Sequence, residues 1–108
     1  MNEIFEHAIT AHTEGKLEDA VRLYQIILKT EPTHPEANNN LGILLNKFSN
    51  FNEAEAHLKK AVEFKPDYTT AHFNLANVLT KLDKLSEAET SYKKAIELKS
   101  DYEKAHFN

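Results

Sequence analysis

Cysteine is absent from this 108-residue chain, and glycine and proline occur only 2 and 3 times. Without cysteine there is no disulfide, no thiolate metal ligand and no thiol nucleophile. So few glycines and prolines leave few positions where a helix must break, which predicts an all-α fold. No apolar run approaches the roughly 20 residues that cross a bilayer, and the first residues lack a secretory signal pattern. We therefore expect a cytoplasmic location without membrane insertion.

Positive charge is also scarce, since 13 lysines and arginines face 17 aspartates and glutamates, giving a formal net charge of -4. This balance argues against nucleic-acid binding, because no excess of cations is available for phosphates. The 6 histidines are not spaced as metal ligands: His7 and His12 lie on different faces of a helix, and His72 has no ligand type three or four residues on. We expect no cofactor, no metal site, no catalytic residue and no enzymatic activity.

A repeat with a period of 34 residues organises what is present. The sequence Ala-His-Phe-Asn at 71–74 recurs at 105–108, and Lys-Lys-Ala at 59–61 recurs at 93–95. Such a period indicates a stack of similar helical hairpins. We predict a single repeat domain over 1–108, divided into units 1–34, 35–68 and 69–102, with 103–108 opening a fourth unit.

Apolar residues recur at helical spacing twice in each unit, and turn residues separate the two runs. The predicted helices are 2–14, 17–30, 35–48, 51–64, 69–82 and 85–99, followed by the start of a seventh. Asn52 and Ser86, each with glutamate three residues on, are expected to cap the second helices of their units. Glu55 is interpreted as part of a solvated charged surface.

These features resemble the tetratricopeptide repeat family over essentially the whole chain. In that family a leucine and a small residue adjoin in the first helix, as at Leu41-Gly42 and Leu75-Ala76. The family has alanine at the crossing in the second helix, matched here by Ala20, Ala54 and Ala88. It ends each unit with proline, matched by Pro32 and Pro66 but not by Ser100. The resemblance implies a right-handed superhelical array of antiparallel helix hairpins.

The resemblance also implies that first-helix residues line a concave, peptide-binding surface. The residues concerned are Phe5, Ile9, Asn39, Asn40, Ile43, Lys47, Phe73, Asn74, Asn77 and Lys81. Within this set the column Asn40, Asn74, Asn108 recurs once per unit, and each amide offers donors and an acceptor that match a peptide group. The column is similar to the asparagine ladder of O-linked N-acetylglucosamine transferases. The alternative interpretation is that asparagine is merely tolerated at this surface position.

Chaperone-binding members of the family instead clamp a terminal carboxylate with two lysines, an arginine and two asparagines. Here Asn40 matches one of those five positions, and the other four hold Phe5, Ile9, Thr70 and Asn74. The resemblance therefore does not predict that clamp.

The C-terminal end of the array predicts a second surface. The last helix of an array keeps an apolar face for a following element, and we expect that face to contain Ala88, Tyr92, Ala95, Ile96 and Phe107. Either the chain is a piece of a longer protein, or this end pairs with another copy to form a homo-oligomer.

The sequence supports three functional hypotheses. The leading one is a scaffold or adaptor module that binds an extended segment of a protein or peptide on its concave face. One alternative is an N-terminal targeting region of a larger enzyme such as a glycosyltransferase. Another is a self-association module that acts through its C-terminal end. The fold alone does not choose among them.

Overall fold

The computed structural model describes the backbone from residue 2 to residue 107 and the side chains from residue 3 to residue 101. Six helices and no strand occur between residues 2 and 107, which confirms the all-α prediction. They are α1 (Asn2–Thr13), α2 (Leu17–Thr30), α3 (Pro35–Lys47), α4 (Phe51–Phe64), α5 (Thr69–Lys81) and α6 (Leu85–Phe107). Apart from the end of α6, each boundary lies within one residue of its prediction.

The helices pair in chain order as three hairpins, α1 with α2, α3 with α4, and α5 with α6. Neighbouring hairpins meet because α2 packs on α3 and α4 packs on α5. The first helices α3 and α5 also contact each other directly, so equivalent residues of successive hairpins lie side by side. This stacking is what allows one side-chain position to form a column along the array.

Small residues occur where the two helices of a hairpin cross. Ala8, Gly42 and Ala76 occupy the same position in successive units, and all three are buried. A Cβ atom at Gly42 would lie 2.6 Å from Cγ of Leu58, closer than side-chain carbons pack. Glycine therefore lets α3 approach α4, and Leu58 fills the groove between them with 0% of its surface exposed.

Each hairpin turn contains one residue with a left-handed backbone. These residues are Gly15, Ser49 and Asp83, with φ of 80°, 64° and 62°. The next amide then donates back across the helix end; in the first turn, the amide nitrogen of Lys16 lies 2.8 Å from the carbonyl oxygen of Ala11. This Schellman arrangement satisfies carbonyl groups that a helix C terminus leaves free.

Proline separates each of the first two units from its successor. Glu31 and Lys65 precede Pro32 and Pro66, and both have non-helical backbones, with ψ of 74° and 80°. A residue before proline is driven out of the helical region by the proline ring, so α2 and α4 end there. The next unit begins with Pro35 in the first turn of α3, where a missing N–H costs little.

The last helix differs from its two predecessors. α6 continues without interruption from Leu85 to Phe107, over 23 residues. Within the described residues, the expected break before a seventh helix does not occur. The reason lies at position 100, where Ser100 replaces the proline of the other units. Nothing then excludes Lys99 from helical geometry, and each amide keeps its acceptor four residues back.

The predicted helix caps are wrong in detail. α4 begins at Phe51 and α6 at Leu85, so Asn52 and Ser86 already lie inside the first turn. The cap of α3 is His34, whose Nδ1 atom accepts a hydrogen bond from the amide of Ala37 at 3.0 Å.

Candidate functional site

The residues predicted for the concave surface lie on the three first helices, α1, α3 and α5. Four of them are exposed: Ile9, Lys47, Phe73 and Lys81. Five are half-buried: Phe5, Asn40, Ile43, Asn74 and Asn77. We call these nine residues the first-helix face. The tenth, Asn39, is 3% exposed, so it supports this face from beneath and does not form part of it.

A chain of amide hydrogen bonds crosses from α5 to α3. Nδ2 of Asn74 donates to Oδ1 of Asn39 at 3.2 Å, and Nδ2 of Asn39 donates to Oδ1 of Asn40 at 3.2 Å. Asn39 also donates to the hydroxyl of Tyr68 at 3.2 Å. We call Asn39, Asn40 and Asn74 the Asn strip. Asn39 thus orients the two column residues that the structure describes, while Asn108 lies outside the described residues.

Two tyrosines of the second helices reach the edge of this face. Burial raises the pKa of Tyr24, and hydrogen bonding by Asn40 opposes that rise. The hydroxyl of Tyr92 donates to Oδ1 of Asn77 at 2.5 Å. The Tyr24 hydroxyl lies 3.5 Å from Nδ1 of His12 on α1. Both rings are therefore packed between helices with the hydroxyl turned to polar side chains of the first helices.

Two lysines give one end of the first-helix face a positive charge. Lys47 and Lys81 occupy equivalent positions in the last turns of α3 and α5. Nζ of Lys81 lies 3.1 Å from Oδ1 of Asn46. Burial lowers the pKa of His12 on α1, and the positive charge of Lys47 lowers it further. Lys47 therefore acts on α1 as well as α3, and this end of the face favours negatively charged groups.

The prediction that Glu55 is solvated is wrong, because only 7% of its surface is exposed. Its carboxylate lies 2.9 Å from Nζ of Lys59 on the same helix and 2.9 Å from Nζ of Lys84 in the next hairpin. Burial acts to raise the pKa of Glu55, but the two lysines outweigh it and the pKa is lowered. The sequence signal for this burial is a spacing of 29 residues between glutamate and lysine, which Glu55 and Lys84 share with Glu36 and Lys65. In the structure the second pair also forms, at 3.2 Å.

A second buried polar group is structural as well. Asn38 is 0% exposed, and its Nδ2 atom donates to the carbonyl oxygens of Pro32 and His34, each at 3.0 Å. Its Oδ1 atom lies 2.9 Å from Nδ1 of His57, which acts as the donor. The asparagine fixes the loop between the first two units, so its polar groups are committed to the fold.

The end of the array carries an open cleft of about 320 Å³ between α5 and α6. We call it the terminal cleft. Its lining includes Thr70, Phe73 and Asn74 from α5 and Ala95, Ile96 and Lys99 from α6. Phe73 and Ile96 are 51% and 64% exposed, so the cleft presents two large apolar side chains from adjacent helices together.

The residues predicted for self-association are distributed unevenly around this cleft. Ala95 and Ile96 line it, and Tyr92 contacts Phe73 with ring centroids 5.5 Å apart. Ala88 is 3% exposed inside the core and presents nothing to a partner. Phe107 lies outside the described side chains.

Three stacked hairpins with equivalent small residues at each crossing define the architecture. Comparison of the chain with known protein families identifies it. Residues 33–101 match the family model described as tetratricopeptide repeat. The chain belongs to the tetratricopeptide repeat family. A search of the curated proteins found no match.

Solved structures of tetratricopeptide repeat proteins superimpose well on the chain. A mutant O-GlcNAc transferase from Thermobaculum terrenum is 31% identical over 97% of this chain, with a TM-score of 0.86, but the chain spans only 20% of that enzyme. The first such domain of Spaghetti (RPAP3), bound to the HSP90 peptide SRMEEVD, is 25% identical over 88% of this chain and 75% of its own, with a TM-score of 0.83. The TPR2B domain of yeast Sti1, in complex with pHsp70, is 22% identical over 93% and 80% of the chains, with a TM-score of 0.85, and shows the fold alone.

Two further features bear on the kind of site. Between residues 2 and 107, no helix is both long and apolar enough to span a membrane. The described side chains also include no group of three or more histidine or acidic residues arranged to hold a metal ion. The polar groups of the first-helix face are instead amides and amines, which bind by hydrogen bonding and charge.

Proposed function

We propose that this tetratricopeptide repeat array is a scaffold or adaptor module that binds an extended peptide segment along its first-helix face. Its residues act by binding and not by catalysis. The segment runs across α1, α3 and α5, with its backbone on the asparagine column and its acidic side chains toward Lys47 and Lys81. The observation that carries the proposal is the Asn strip, which joins α3 and α5 through side-chain amides.

The hydrogen-bonding capacity of these amides supports the proposal. Each asparagine offers two N–H donors and an oxygen with two lone pairs. Asn74 uses one of its donors on Asn39, and the oxygen of Asn40 accepts one hydrogen bond from Asn39. Each side chain therefore keeps hydrogen-bonding groups that a ligand can use. An extended peptide presents an alternating donor and acceptor, and adjacent helices are about 8–10 Å apart, or roughly three residues of such a peptide. One asparagine per hairpin therefore matches the repeat of the ligand backbone.

The apolar and charged neighbours of the strip add selectivity. Ile9 and Phe73 are exposed on either side of the strip and offer contact area to apolar side chains. Lys47 and Lys81 favour acidic residues at one end of the ligand. The similar domain of Spaghetti holds the peptide SRMEEVD, which contains three acidic residues. The carboxylate-clamp positions differ here, so the proposed ligand is an internal acidic segment and not a chain terminus.

A library of random linear peptides displayed on phage tests this proposal. Peptides selected on the native chain would be synthesised, and their affinity measured by calorimetry for three proteins. The first variant, Asn40→Ala/Asn74→Ala, removes the column amides. The second, Lys47→Glu/Lys81→Glu, reverses the charge of the positive end. We expect selected peptides to be acidic, and each variant to weaken binding about tenfold or more, which corresponds to a loss of about 1.4 kcal/mol.

The matched control is Lys29→Glu/Lys60→Glu, which makes the same charge change at a cleft between the second helices. It should leave affinity unchanged. Circular dichroism must show that all variants remain folded, because Asn40 and Asn74 also take part in internal hydrogen bonds. If the control weakens binding as much as the two test variants do, another face holds the peptide and the proposal fails.

A second candidate function is favoured by the transferase similarity. The chain is 31% identical to the repeat region of an O-GlcNAc transferase over 97% of its length. In this alternative the array is the N-terminal targeting region of a glycosyltransferase, and its peptide face recruits the substrate protein. Reading the gene beyond the codon for Asn108 tests it: a catalytic domain in the same frame supports the candidate, and a stop codon there rejects it.

A further inference from the structure

The terminal cleft occupies a position that is filled at the internal boundary, the junction between the second and third units. There, the counterparts of Phe73 and Lys99 are Asn39 and Lys65, one repeat earlier. Nδ2 of Asn39 donates to the hydroxyl of Tyr68 at 3.2 Å, and Nζ of Lys65 lies 4.6 Å above the Tyr68 ring. The first residues of the third unit, together with Tyr68, therefore cover this groove in the second unit.

The same contact recurs one boundary earlier. Phe5, one repeat before Asn39, stacks on His34 with ring centroids 5.1 Å apart. His34 occupies the position of Tyr68 one repeat earlier. At both boundaries, then, a first-helix residue meets a ring-bearing residue 29 positions later. Phe73 is the third member of this series, and the residue 29 positions after it is Tyr102.

The sequence that contains Tyr102 is nearly a copy of the sequence that fills the internal boundary. Residues 101–108 read Asp-Tyr-Glu-Lys-Ala-His-Phe-Asn, and residues 67–74 read Asp-Tyr-Thr-Thr-Ala-His-Phe-Asn, so six of the eight positions are identical. In the earlier copy, Ala71 is 0% exposed against its neighbours. Its counterpart is Ala105. Residues 101–108 thus carry the side chains that suit an apolar groove of this shape.

The chain's own copy of this segment is not in position to fill its own cleft. α6 continues straight through Ser100 to Phe107. At 1.5 Å per residue, this continuation carries the segment about 12 Å beyond Lys99 along the helix axis. A continuous helix does not turn back over its own earlier residues, so the backbone of residues 101–107 runs away from the terminal cleft and is available to the cleft of another molecule.

We propose that the terminal cleft binds residues 101–108 of a second copy of this chain, by reciprocal exchange. Each copy extends its α6 to its partner, and each partner's segment covers Phe73 and Ile96. We call residues 99–101 the hinge. They stay helical here, whereas proline imposes a turn at the other boundaries. The interface consists of two short segments, so the dimer is weak and reversible. This inference does not rest on peptide binding by the first-helix face.

Sedimentation equilibrium from micromolar to millimolar concentrations is the first test. The native chain should dimerise within this range. Ile96→Lys places a charge in the cleft, and Ala105→Lys places one on the segment while keeping a good helix former. Either substitution alone should leave a monomer, because a homodimer of that variant has both cleft–segment pairs damaged. Phe64→Lys, which changes an exposed aromatic residue elsewhere, is the control and should dimerise as the native chain does.

Mixing the two variants identifies the occupant. A mixture of the Ile96→Lys and Ala105→Lys chains can form a heterodimer with one intact pair, so self-association should partly return. A native chain that stays monomeric throughout overturns the proposal. So does a dimer that survives either substitution; an Ala105→Lys chain that still dimerises indicates cleft-to-cleft packing. A mixture that shows no recovery also overturns the proposal, because it lacks the pairing of an intact segment with an intact cleft.

The hinge provides a matched pair of variants. Ser100→Pro restores the turn of the earlier units, so the segment should fold onto its own cleft and the dimer should be lost. Ser100→Ala keeps the helix and should keep the dimer. Equal dimerisation of these two variants would contradict an exchange controlled by the hinge. Because self-association is measured here, the result is separate from any result with peptides.

Discussion

The internal boundary and the terminal cleft are built from equivalent residues, yet only the internal boundary is covered. At the internal boundary Glu55 bridges two lysines, while its counterpart Glu89 pairs, among side chains 3–101, with Lys93 alone, at 3.0 Å on an open surface. Val62 packs against the core, whereas Ile96 at the same position is 64% exposed. The comparison teaches that a residue's role in a repeat array depends on the unit stacked against it, and less on its place within its own unit.

The largest contrast is expected for the two glutamates. Glu55→Ala should lower the free energy of unfolding by about 1–3 kcal/mol, because it removes a charged, hydrogen-bonded acceptor and leaves two lysines without it. Glu89→Ala should cost only about 0.2–0.5 kcal/mol, as for exposed helix pairs. Urea denaturation of both variants measures the difference. Equal losses would show that the internal boundary gains nothing from Glu55.

The next contrast concerns apolar side chains. Val62→Ala should cost about 1 kcal/mol, because two methyl groups leave a partly buried position. Ile96→Ala, at the equivalent position, should have little effect at concentrations where the chain is monomeric. Raising the protein concentration should enlarge the Ile96→Ala loss if the second copy covers that side chain. A loss for Ile96→Ala that is large in dilute solution would mean that the terminal cleft is already filled.

Acid should weaken the internal boundary through Glu55. Its pKa is lowered in the folded protein: burial opposes this, but Lys59 and Lys84 prevail. The stabilisation is therefore complete above the unfolded pKa of about 4.3 and is lost as the pH falls through the folded value. Unfolding free energies at neutral and acidic pH should differ less for Glu55→Gln than for the native chain. The variant retains some dependence, because the pKa of Glu36 is also lowered.

The smallest effects are expected at the hairpin turns, where the two regions are alike. Ser49→Gly and Asp83→Gly should each stabilise by about 0.5 kcal/mol, since relief of a left-handed backbone slightly exceeds the entropy cost of glycine. Gly15→Ala should destabilise, because its φ of 80° strains any side chain. Thermal melts of the three variants check these signs. If Ser49→Gly and Asp83→Gly stabilise the chain by clearly different amounts, the terminal cleft also affects the hairpin turns.

The sequence alone was sufficient for the repeat and for every helix boundary except the end of α6. A 34-residue period, read with turn residues and Pro32 and Pro66, predicts every helix boundary up to residue 85 within one residue. These signals are local, since a proline acts on its neighbours whatever the rest of the chain does. The continuation of α6 through Ser100 could have been predicted from the same rule.

The candidate site was predicted less well, for a physical reason. Asn38, Asn39 and Asn40 are identical in type and adjacent, but one anchors a loop, one links two helices and one is half-exposed. The difference arises from about 100° of rotation per residue, together with the neighbouring hairpin. Burial of Glu55 likewise depends on Lys84 from the next unit. Side-chain chemistry predicts which contacts are available, while the packing of units decides which are made.

The regular spacing of the boundary contacts has a consequence for folding kinetics. Each of these contacts joins residues 29 positions apart: Phe5 with His34, Asn39 with Tyr68, and Glu55 with Lys84. Each unit can therefore form its boundary contacts with the adjacent unit, without contacts to a distant part of the chain. Chains with such short contact separations fold quickly, and they exchange amide hydrogens in segments. The two end hairpins, α1 with α2 and α5 with α6, each pack on one neighbouring hairpin and should open and exchange first, while α3 and α4, which pack on both neighbours, remain protected.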